Sequence, residues 1–380
     1  LLLLNGKLNA QESIVFKAKE AGYDVFRIPA IVQTTKNQLI AFAEGRVNGS
    51  NDFGNIDIVY KKSFDGGNTW TALQVLIDNQ TLQAGNPAPV IDRLDPAYPS
   101  GVIYLFYNTG NNHEHEVRKG KGVREVWYVR SFDQGLTWSI PVNITEQVHH
   151  PNSPSYNNKY QFQEDWRSYA NTPGHAIQLQ HGSYAGRILI PANHSFGEPQ
   201  NGFLDYRAHA FYSDDHGKTF HVSANVEIPG SNESTAAETG DGKVLMNIRN
   251  QQGTPRQRIM AVSNNGGNSW DTTYNEHTLI DPVCQGSMLH IALNKNSVLL
   301  FSNLHAVKTR DSLGIKYSKD NGNTWQFSSY IEIAKHGYKG DWVAYSDLVE
   351  IHKNSIGILY ERNNYQEIVF KILAIKKIIN

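Results

Sequence analysis

The chain has 380 residues, with 35 Lys or Arg and 36 Asp or Glu, which gives a formal net charge of −1. This balance argues against a nucleic acid or an anionic membrane surface as the partner, because both attract strongly basic proteins. The one cysteine, Cys284, excludes an internal disulfide and a zinc site built from several cysteines. No apolar run reaches the roughly 18 residues that a membrane-spanning helix needs.

A phrase of eight residues recurs five times, with the pattern Ser-x-Asp-x-Gly-x-Thr-Trp. The fourth copy has Asn265 and Ser269 in place of the Asp and the Thr, and the third copy ends in Phe220. The copies begin at Ser63, Ser131, Ser213, Ser263 and Ser318. Their starts lie 68, 82, 50 and 55 residues apart, and such self-similarity indicates a repeat architecture.

Alternating β-rich stretches flank each copy, as at 56–60 and 72–77 around the first one. Alternation on both sides of a Gly/Asn/Asp turn is a hairpin signature. The mean spacing of about 64 residues leaves room for two more strands in each repeat, and a four-stranded sheet repeated about an axis is a propeller blade. Dividing 380 residues by this spacing predicts an all-β, six-bladed β-propeller. A pair of β-sandwiches is the weaker alternative, because it gives no reason for a regular period.

We expect residues 1–380 to form a single domain in which both ends of the chain build the last blade. The β-rich stretches 356–360 and 368–372 would be joined there by residues 13–18. The aspartates of the repeated phrase are expected to form turns on the rim of the propeller and to take no part in chemistry.

The tetrapeptide Phe26-Arg27-Ile28-Pro29 precedes the first copy of the phrase. Together with the five copies, it resembles the exo-sialidase family, the neuraminidases of bacterial and animal type, whose Asp boxes (BNR repeats) have this pattern. The resemblance covers nearly the whole chain and implies a sialidase-like propeller. It also implies a retaining glycoside hydrolase that removes terminal α-linked sialic acids from glycoconjugates.

The resemblance implies that three arginines, Arg27, Arg249 and Arg310, bind the carboxylate of the sugar. A guanidinium bonds a carboxylate through two parallel hydrogen bonds and keeps its charge at any working pH. Glu361 is expected to hold Arg27 in place.

The family pattern further implies that Tyr345 is the nucleophile, since the carboxylate of the substrate would repel a carboxylate nucleophile. A phenol has a pKa near ~10 and therefore needs a base beside it. Glu233 matches that base in the family pattern, with Glu238 as the alternative.

Asp52 lies in a turn-rich segment at the place where the family has its general acid, and Asp57 is the competing candidate. Its pKa would have to be raised by partial burial for it to donate a proton at mild pH. Arg46 would contact Asp52 or the substrate. Trp166, Tyr169 and Asn86 are further expected substrate contacts.

No metal or other cofactor is expected. His113 and His115 flank Glu114 in a charged loop, but such histidines are usually solvated. Two alternative functions remain open, a hydrolase of a related 2-keto-3-deoxy sugar acid and a non-catalytic glycan-binding propeller. Nothing in the sequence identifies the acceptor platform of a trans-sialidase.

The resemblance also indicates export to a secreted, periplasmic or cell-surface location in a bacterium. The opening Leu1-Leu2-Leu3-Leu4 is too short for the apolar core of a signal peptide but fits a remnant of one. We expect sialylated glycans as partners, no nucleic acid, no membrane span and a monomeric protein.

Overall fold

The computed structural model describes residues 12–35, 37–293, 296–352 and 354–379. The four leucines at positions 1–4 therefore lie outside the described residues. Within the described ranges, no helix is both long and apolar enough to cross a membrane.

Strands make up nearly all of the regular structure. In chain order the described strands are β1 (Glu12–Lys17), β2 (Val25–Gln33), β3 (Leu39–Arg46), β4 (Ile56–Ser63), β5 (Gln74–Ile77), β6 (Gln83–Asp92), β7 (Val102–Gly110), β8 (Arg124–Ser131), β9 (Val142–Asn143), β10 (Trp166–Asn171), β11 (Ile177–Gln178), β12 (Ile188–Phe196), β13 (Tyr206–Ser213), β14 (His221–Val222), β15 (Ser231–Glu238), β16 (Val244–Asn250), β17 (Gln257–Ser263), β18 (Thr272–Ile280), β19 (Ser287–Leu293), β20 (Asn296–Leu304), β21 (Ser312–Ser318), β22 (Gln326–Ile333), β23 (Val343–His352), β24 (Ser355–Arg362) and β25 (Glu367–Ala374). The helices are α1 (Glu114–Val117), α2 (Thr145–Val148) and the 3-10 turns Glu20–Gly22, Gly182–Tyr184, Asn201–Phe203 and Ile375–Lys377.

The described strands form five sheets. Three of them have four strands, in the orders β1-β25-β24-β23, β15-β16-β17-β18 and β19-β20-β21-β22. A fourth has the order β10-β12-β13-β14, with β11 added to β12. The fifth sheet has eight strands in the order β2-β3-β4-β6-β7-β8-β9, with β5 paired to β4.

The structure is an all-β propeller, but the prediction of six separate blades is wrong. Four sheets have the size of a single blade, and the remaining strands form one eight-stranded sheet. The reason is local. Ile56 of β4 pairs in parallel with Gln83 of β6, and its amide donates to the Leu82 carbonyl at 3.3 Å. The prediction of six blades assumed that every repeat forms a separate sheet. The pairing of β4 with β6 instead joins two repeats into one sheet.

The strands that begin the repeats, called the first strands below, surround a common axis. β2 contacts both β6 and β23, and β19 contacts both β15 and β23. The N-terminal strand β1 pairs antiparallel with β25 near the other end of the chain. Buried apolar side chains join neighbouring sheets, in clusters such as the one that brings Phe16 of β1 and Phe370 of β25 together with Phe26 of β2 and Val59 of β4.

The Asp boxes are turns closed by their own side chains. In the first box, Asp65 Oδ1 accepts hydrogen bonds from the amides of Asn68 at 3.0 Å and Thr69 at 2.9 Å, and the Gly67 amide donates to Ser63 Oγ at 2.8 Å. Desolvation opposes ionisation here, but the hydrogen bonds from Thr69 outweigh it and lower the pKa of Asp65 to about 2. In the fourth box the Asn265 amide oxygen accepts from the Ser269 amide at 3.0 Å, so an uncharged side chain forms the same turn.

Each box also packs against a side chain that is distant from it in the sequence. A Cβ added to the box glycine would lie 2.1–2.8 Å from a side chain there. The pairs are Gly67 with Phe370, Gly135 with Ile40, Gly217 with Tyr104, Gly267 with Leu189, and Gly322 with Leu245. Four of these contacts lie between sheets, and that of Gly135 with Ile40 lies within the eight-stranded sheet, so the boxes set the close spacing of neighbouring repeats, which accounts for their recurrence.

Asp133 of the second box provides a test of this structural role. Its Oδ1 accepts from the amides of Leu136 at 3.0 Å and Thr137 at 2.8 Å. Asp133→Ala removes these bonds and should lower the free energy of unfolding by about 1–2 kcal/mol, as the loss of a helix N-cap does. Asp133→Asn should cost less, because Asn265 forms the equivalent turn. Urea denaturation at pH 7 measures both changes.

The deficit of Asp133→Ala should depend on pH in a definite direction. The hydrogen bonds of the box lower the pKa of Asp133 to about 2, against the opposing effect of desolvation, whereas an unfolded Asp titrates near about 3.9. The contribution of the carboxylate is therefore complete above about pH 4 and is lost as the pH falls toward 2. Turnover per folded molecule should stay at the wild-type level. Wild-type stability combined with lost turnover would contradict this division of roles.

Candidate active site

A cavity of about 290 Å³ opens where the first strands of the sheets begin. Most of the side chains that the sequence predicted for the site line it. These are Arg27, Arg46, Asp52, Asn86, Tyr169, Glu233, Arg249, Arg310 and Tyr345. Trp166 and Glu361 do not line it.

Backbone irregularities turn these side chains into the cavity. Five first strands change register near their beginnings. The shifts lie between Arg27 and Ala30 in β2, Gly85 and Ala88 in β6, Trp166 and Tyr169 in β10, Ser231 and Ser234 in β15, and Val343 and Ser346 in β23. A bulge re-aims the side chains beside it, and Asn86, Glu233 and Tyr345 all lie within such shifts.

Tyr345, Glu233 and Arg249 form one hydrogen-bonded group. The Tyr345 hydroxyl donates to Glu233 Oε1 at 2.6 Å. Arg249 Nη1 donates to Glu233 Oε2 at 2.7 Å and to Tyr345 Oη at 3.0 Å. Burial, and then the negative charge of Glu233, raise the pKa of Tyr345 well above its usual range. The phenol therefore keeps its proton at neutral pH and offers it to a carboxylate already in contact.

Glu361 holds Arg27 from behind the cavity. Arg27 Nε and Nη2 donate to the two oxygens of Glu361 at 3.1 and 3.3 Å. The amides of Ile28 and Tyr345 donate to the same carboxylate at 2.9 and 3.1 Å. Glu361 is 1% exposed, so it orients Arg27 and the backbone at Tyr345 from a position that a ligand in the cavity does not reach.

Tyr365 is a part of the site that the sequence analysis missed. Its ring lies 4.2 Å from the guanidinium carbon of Arg27, and its hydroxyl accepts from Arg310 Nη1 at 3.3 Å. It also donates to Asp341, which lies 3.5 Å from Arg310. Tyr365 follows Asn363 and Asn364 in a run of three residues with positive φ. Only the paired asparagines could have indicated such a turn, since Asn tolerates positive φ.

Asp52 lies among positive charges. Its Oδ1 accepts from Arg46 Nη1 at 2.7 Å and lies 3.6 Å from Arg27 Nη1. Its side chain is 79% exposed. The raised pKa that an acid role requires is not produced by these surroundings alone. Desolvation by nearby atoms acts to raise it, but the charges of Arg46 and Arg27 prevail, and the pKa of Asp52 is lowered.

Arg46 is fixed mainly by Glu44, whose Oε2 accepts from Arg46 Nη2 at 2.6 Å and from Nε at 3.0 Å. The other oxygen of Glu44 accepts from the Asn86 amide at 2.8 Å. Glu44 is fully buried. Through these bonds it connects Arg46 to Asn86 of β6. Asn86 itself has a φ of 56°, which places its side chain at the cavity.

Trp166, a predicted substrate contact, does not line the cavity. Its ring stacks on His194 with a centroid distance of 3.5 Å. The register shift between Trp166 and Tyr169 separates the two side chains, so that Tyr169 lines the cavity while Trp166 packs into the core behind it.

The competing candidates lie elsewhere. The carboxylate of Asp57, in β4 of the eight-stranded sheet, accepts from the Tyr23 hydroxyl at 2.6 Å. Glu238 accepts from the amides of Gln180 and His181 at 2.7 and 3.0 Å. It lines a larger cavity of about 490 Å³ at the opposite ends of the first strands, with apolar neighbours such as Ile31. That cavity has more room, but Tyr345, Glu233 and the three arginines Arg27, Arg249 and Arg310 all line the smaller one.

The structure also bears on possible metal ligands. Among the described residues, one group of His and Asp side chains has its ligand atoms within 4.8 Å of one another, namely Asp92, Asp95 and His216. It lies outside the cavity, where Asp92 Oδ2 is 2.7 Å from His216 Nδ1. His113 packs beside Phe53, with a ring distance of 4.9 Å.

Several polar residues of the cavity carried no sequence motif. They are Gln83, Asn108, Glu114, Arg124, Ser168, Asn193, Asn232 and Gln251. Glu114 was read only as the centre of a His-Glu-His run. None of the others belongs to a recognisable pattern, because their assembly depends on neighbouring sheets.

Comparisons with known proteins show the family to which the chain belongs. A family model described as "BNR repeat-like domain" matches residues 37–358. The chain is 28% identical over 379 residues to a sialidase of Micromonospora viridifaciens, covering 93% of this chain and 52% of that protein. It is 27% identical over 374 residues to an exo-alpha-sialidase of Arthroderma benhamiae, covering 92% of this chain and 81% of that protein. It thus spans about half the length of the Micromonospora relative.

Among solved structures, the Hadza microbial sialidase Hz136 has a TM-score of 0.74 to this chain at 24% identity. The match covers 94% of this chain and 67% of that one. At this level of identity the likeness shows a shared fold.

The role of Glu361 can be tested through stability. Glu361→Ala leaves the buried charge of Arg27 without its partner, which should lower the free energy of unfolding by about 3–5 kcal/mol. Glu198→Ala is the matched control, because it removes a carboxylate that pairs with Arg167 but is 84% exposed, and such pairs contribute about 0–1 kcal/mol. Urea denaturation distinguishes the two. Equal losses would show that Glu361 is not the internal anchor inferred here.

Proposed function

We propose that this chain, which belongs to the family of BNR repeat-like domains, is an exo-α-sialidase that releases terminal sialic acids with retention of configuration. One observation carries the proposal. The Tyr345 phenol donates to the Glu233 carboxylate at 2.6 Å, in a cavity also lined by Arg27, Arg249 and Arg310. The relatives named as sialidases support the same function.

The three arginines suit the carboxylate that sialic acid bears at its anomeric carbon. Glu361 occupies Nε and Nη2 of Arg27, so that Nη1 remains for a ligand. Arg249 approaches from β16, and Arg310 from the segment after β20. Fixed guanidinium groups that bind a carboxylate need little reorganisation when the substrate arrives.

The Tyr345–Glu233 pair suits a nucleophile for this substrate. A neutral phenol approaches a carbon beside a carboxylate without the repulsion that a carboxylate nucleophile would meet. As the Tyr345 oxygen bonds to the anomeric carbon, its proton passes to Glu233, and the bond to the departing oxygen breaks. Arg249 Nη1, 3.0 Å from the phenol oxygen, stabilises the negative charge that develops on it.

Asp52 would protonate the departing oxygen. In the free protein the charges of Arg46 and Arg27 hold its pKa low. A bound substrate carboxylate offsets the charge of Arg27, which raises the pKa of Asp52 toward the range that a general acid needs. In the second half of the reaction the Asp52 carboxylate takes a proton from water. The water oxygen bonds to the anomeric carbon, the bond to Tyr345 breaks, and Glu233 returns the proton to the phenol.

We further propose that the protein acts outside the cytoplasm and as a monomer. Sialylated glycoproteins and glycolipids are displayed at cell surfaces and in secretions, so an exported enzyme would meet its substrate there. Cell fractionation of the natural source tests the location, and light scattering of the purified chain tests the oligomeric state.

Replacing the nucleophile should abolish the reaction. Tyr345→Phe keeps the ring but removes the oxygen, and it should lower kcat/KM on a fluorogenic N-acetylneuraminic acid glycoside by about a hundred-fold or more. When the wild type is incubated with 2,3-difluorosialic acid, the sugar should remain covalently bound to Tyr345. The mass of the peptide that contains Tyr345 should then increase by that of one sugar acid. A labelled peptide without Tyr345 would overturn the assignment, and glycan binding without turnover would point to a lectin.

Asp52→Ala should have an effect that depends on the leaving group. A sugar alcohol needs protonation to depart, whereas an acidic phenol needs much less help. The variant should therefore lose about 10²–10⁴-fold in kcat on a sialyl-oligosaccharide and far less on an aryl sialoside. Asp57→Ala is the matched control, since Asp57 lies in a strand and bonds Tyr23. Equal losses of Asp52→Ala on both substrates would contradict the acid role.

A further inference from the structure

The proposed base and nucleophile both lie at breaks in the pairing of their strands. Glu233 falls within the register shift of β15, and Tyr345 falls within that of β23. Neither residue has a partner in the ladder of its sheet, which resumes one residue later, at Ser234 and at Ser346. The backbone beside each reacting side chain must therefore be fixed by something other than strand pairing.

Ser234 is fixed by Thr172, which directly follows β10 of a different sheet. The Thr172 hydroxyl donates to the Ser234 carbonyl at 2.9 Å, and the Ser234 amide donates to the Thr172 carbonyl at 3.3 Å. Both residues are buried. One residue of another sheet thus holds both backbone polar groups of the residue that follows Glu233.

Ser346 is fixed in a similar way by Gln285, which precedes β19. Gln285 Oε1 accepts from the Ser346 amide at 3.0 Å, and its Nε2 donates to the Ser346 carbonyl at 3.0 Å. Nε2 also donates to the Pro173 carbonyl at 3.2 Å. Gln285 is buried and does not line the active-site cavity. It therefore acts on the site through the backbone that follows Tyr345.

The two sets of bonds form one bridge, because Thr172 and Pro173 are consecutive in the chain. The backbone bridge runs from Ser234 through Thr172 and Pro173 to Gln285 and Ser346. It connects the backbone beside the base to the backbone beside the nucleophile. Since its members are buried, the loss of one hydrogen bond leaves a polar group unsatisfied and favours a shift of the backbone.

We propose that Thr172 and Gln285 are positioning residues that hold the Tyr345 hydroxyl at 2.6 Å from Glu233 through this backbone bridge. The inference rests on the proposed function. The proton of the phenol passes to Glu233 as the bond to the anomeric carbon forms, and such a transfer requires hydrogen-bond contact. A misplacement of about 1 Å from the productive geometry costs on the order of a hundred-fold in rate.

Binding of the sugar should depend much less on the backbone bridge. Arg27 is held by Glu361, and Arg310 donates to Tyr365. Neither of these contacts includes Thr172 or Gln285. Loss of the bridge should therefore slow the chemical step more than it weakens the binding of a sugar carboxylate.

The test measures the chemical step separately from binding. Thr172→Val removes the hydroxyl, and Gln285→Leu removes all three bonds of the amide. In both variants, the rate constant for labelling of Tyr345 by saturating 2,3-difluorosialic acid should fall by about ten- to a hundred-fold. The inhibition constant of sialic acid, the product, should change by less than about three-fold. The rate constant, unlike the amplitude, does not depend on the fraction of protein that is folded.

Three further variants separate positioning from a general loss of stability. Thr172→Ser keeps the hydroxyl and should restore labelling to within about three-fold of the wild-type rate. Thr145→Val is the matched control, because the Thr145 hydroxyl bonds both backbone groups of Val126. Gln178→Leu removes a buried amide that accepts from the Arg93 amide outside the active-site cavity. Both controls should lower stability and leave the rate constant unchanged.

The outcomes separate this inference from the function on which it rests. Labelling of Thr172→Val and Gln285→Leu at the wild-type rate would contradict the positioning role and leave the sialidase proposal intact. The same holds for equal slowing in the controls, or for an inhibition constant that rises as much as the rate falls. If Gln285→Leu does not fold, the comparison of Thr172→Val with Thr172→Ser decides. A wild type that is not labelled at Tyr345 would overturn the proposed nucleophile and this inference together.

Discussion

The ring and the site depend on one buried carboxylate. Glu361 of β24 accepts from the side chain of Arg27, from the Ile28 amide and from the Tyr345 amide, and it lies 334 residues from Arg27 in the chain. A buried carboxylate without such donors would cost several kcal/mol, so closure of the ring and orientation of Arg27 occur together. The interaction that joins the ends of the fold is therefore also the one that prepares the site.

A second carboxylate extends the same principle along the axis. Asp347 is fully buried and accepts from the Ile31 amide at 2.9 Å, from Ser287 Oγ at 2.8 Å and from the His175 amide at 3.1 Å. Its other contact is His175 Nδ1 at 2.7 Å. Ile31 lies in β2, Ser287 in β19 and Asp347 in β23, so these polar bonds join three sheets near the axis.

Stability and chemistry are placed at different parts of the same repeat. The Asp boxes lie at the turns and pack sheet against sheet, while the register shifts lie at the starts of the first strands. Ile28 and Asn86 both have a φ of 56° there, and positive φ is unfavourable for residues other than glycine, above all for the β-branched Ile28. The bonds of Glu361 to Ile28 and of Glu44 to Asn86 compensate for that strain. At these strand starts the backbone turns the side chains of the site toward the cavity.

Short-range patterns in the sequence were sufficient for the hairpins, the Asp-box turns, the propeller class and nine of the residues that line the cavity, because these depend on a few neighbours in the chain or on a motif. Tertiary structure alone decided the rest. The pairing of Ile56 with Gln83 merged two repeats into one sheet, and a register shift turned Trp166 away from the cavity. The charges around Asp52 and the bonds of Thr172 and Gln285 to the backbone of other sheets likewise arise between strands. Strand pairing and the electrostatic effects of neighbouring charges involve residues that are distant in sequence. No local sequence pattern therefore encodes these features.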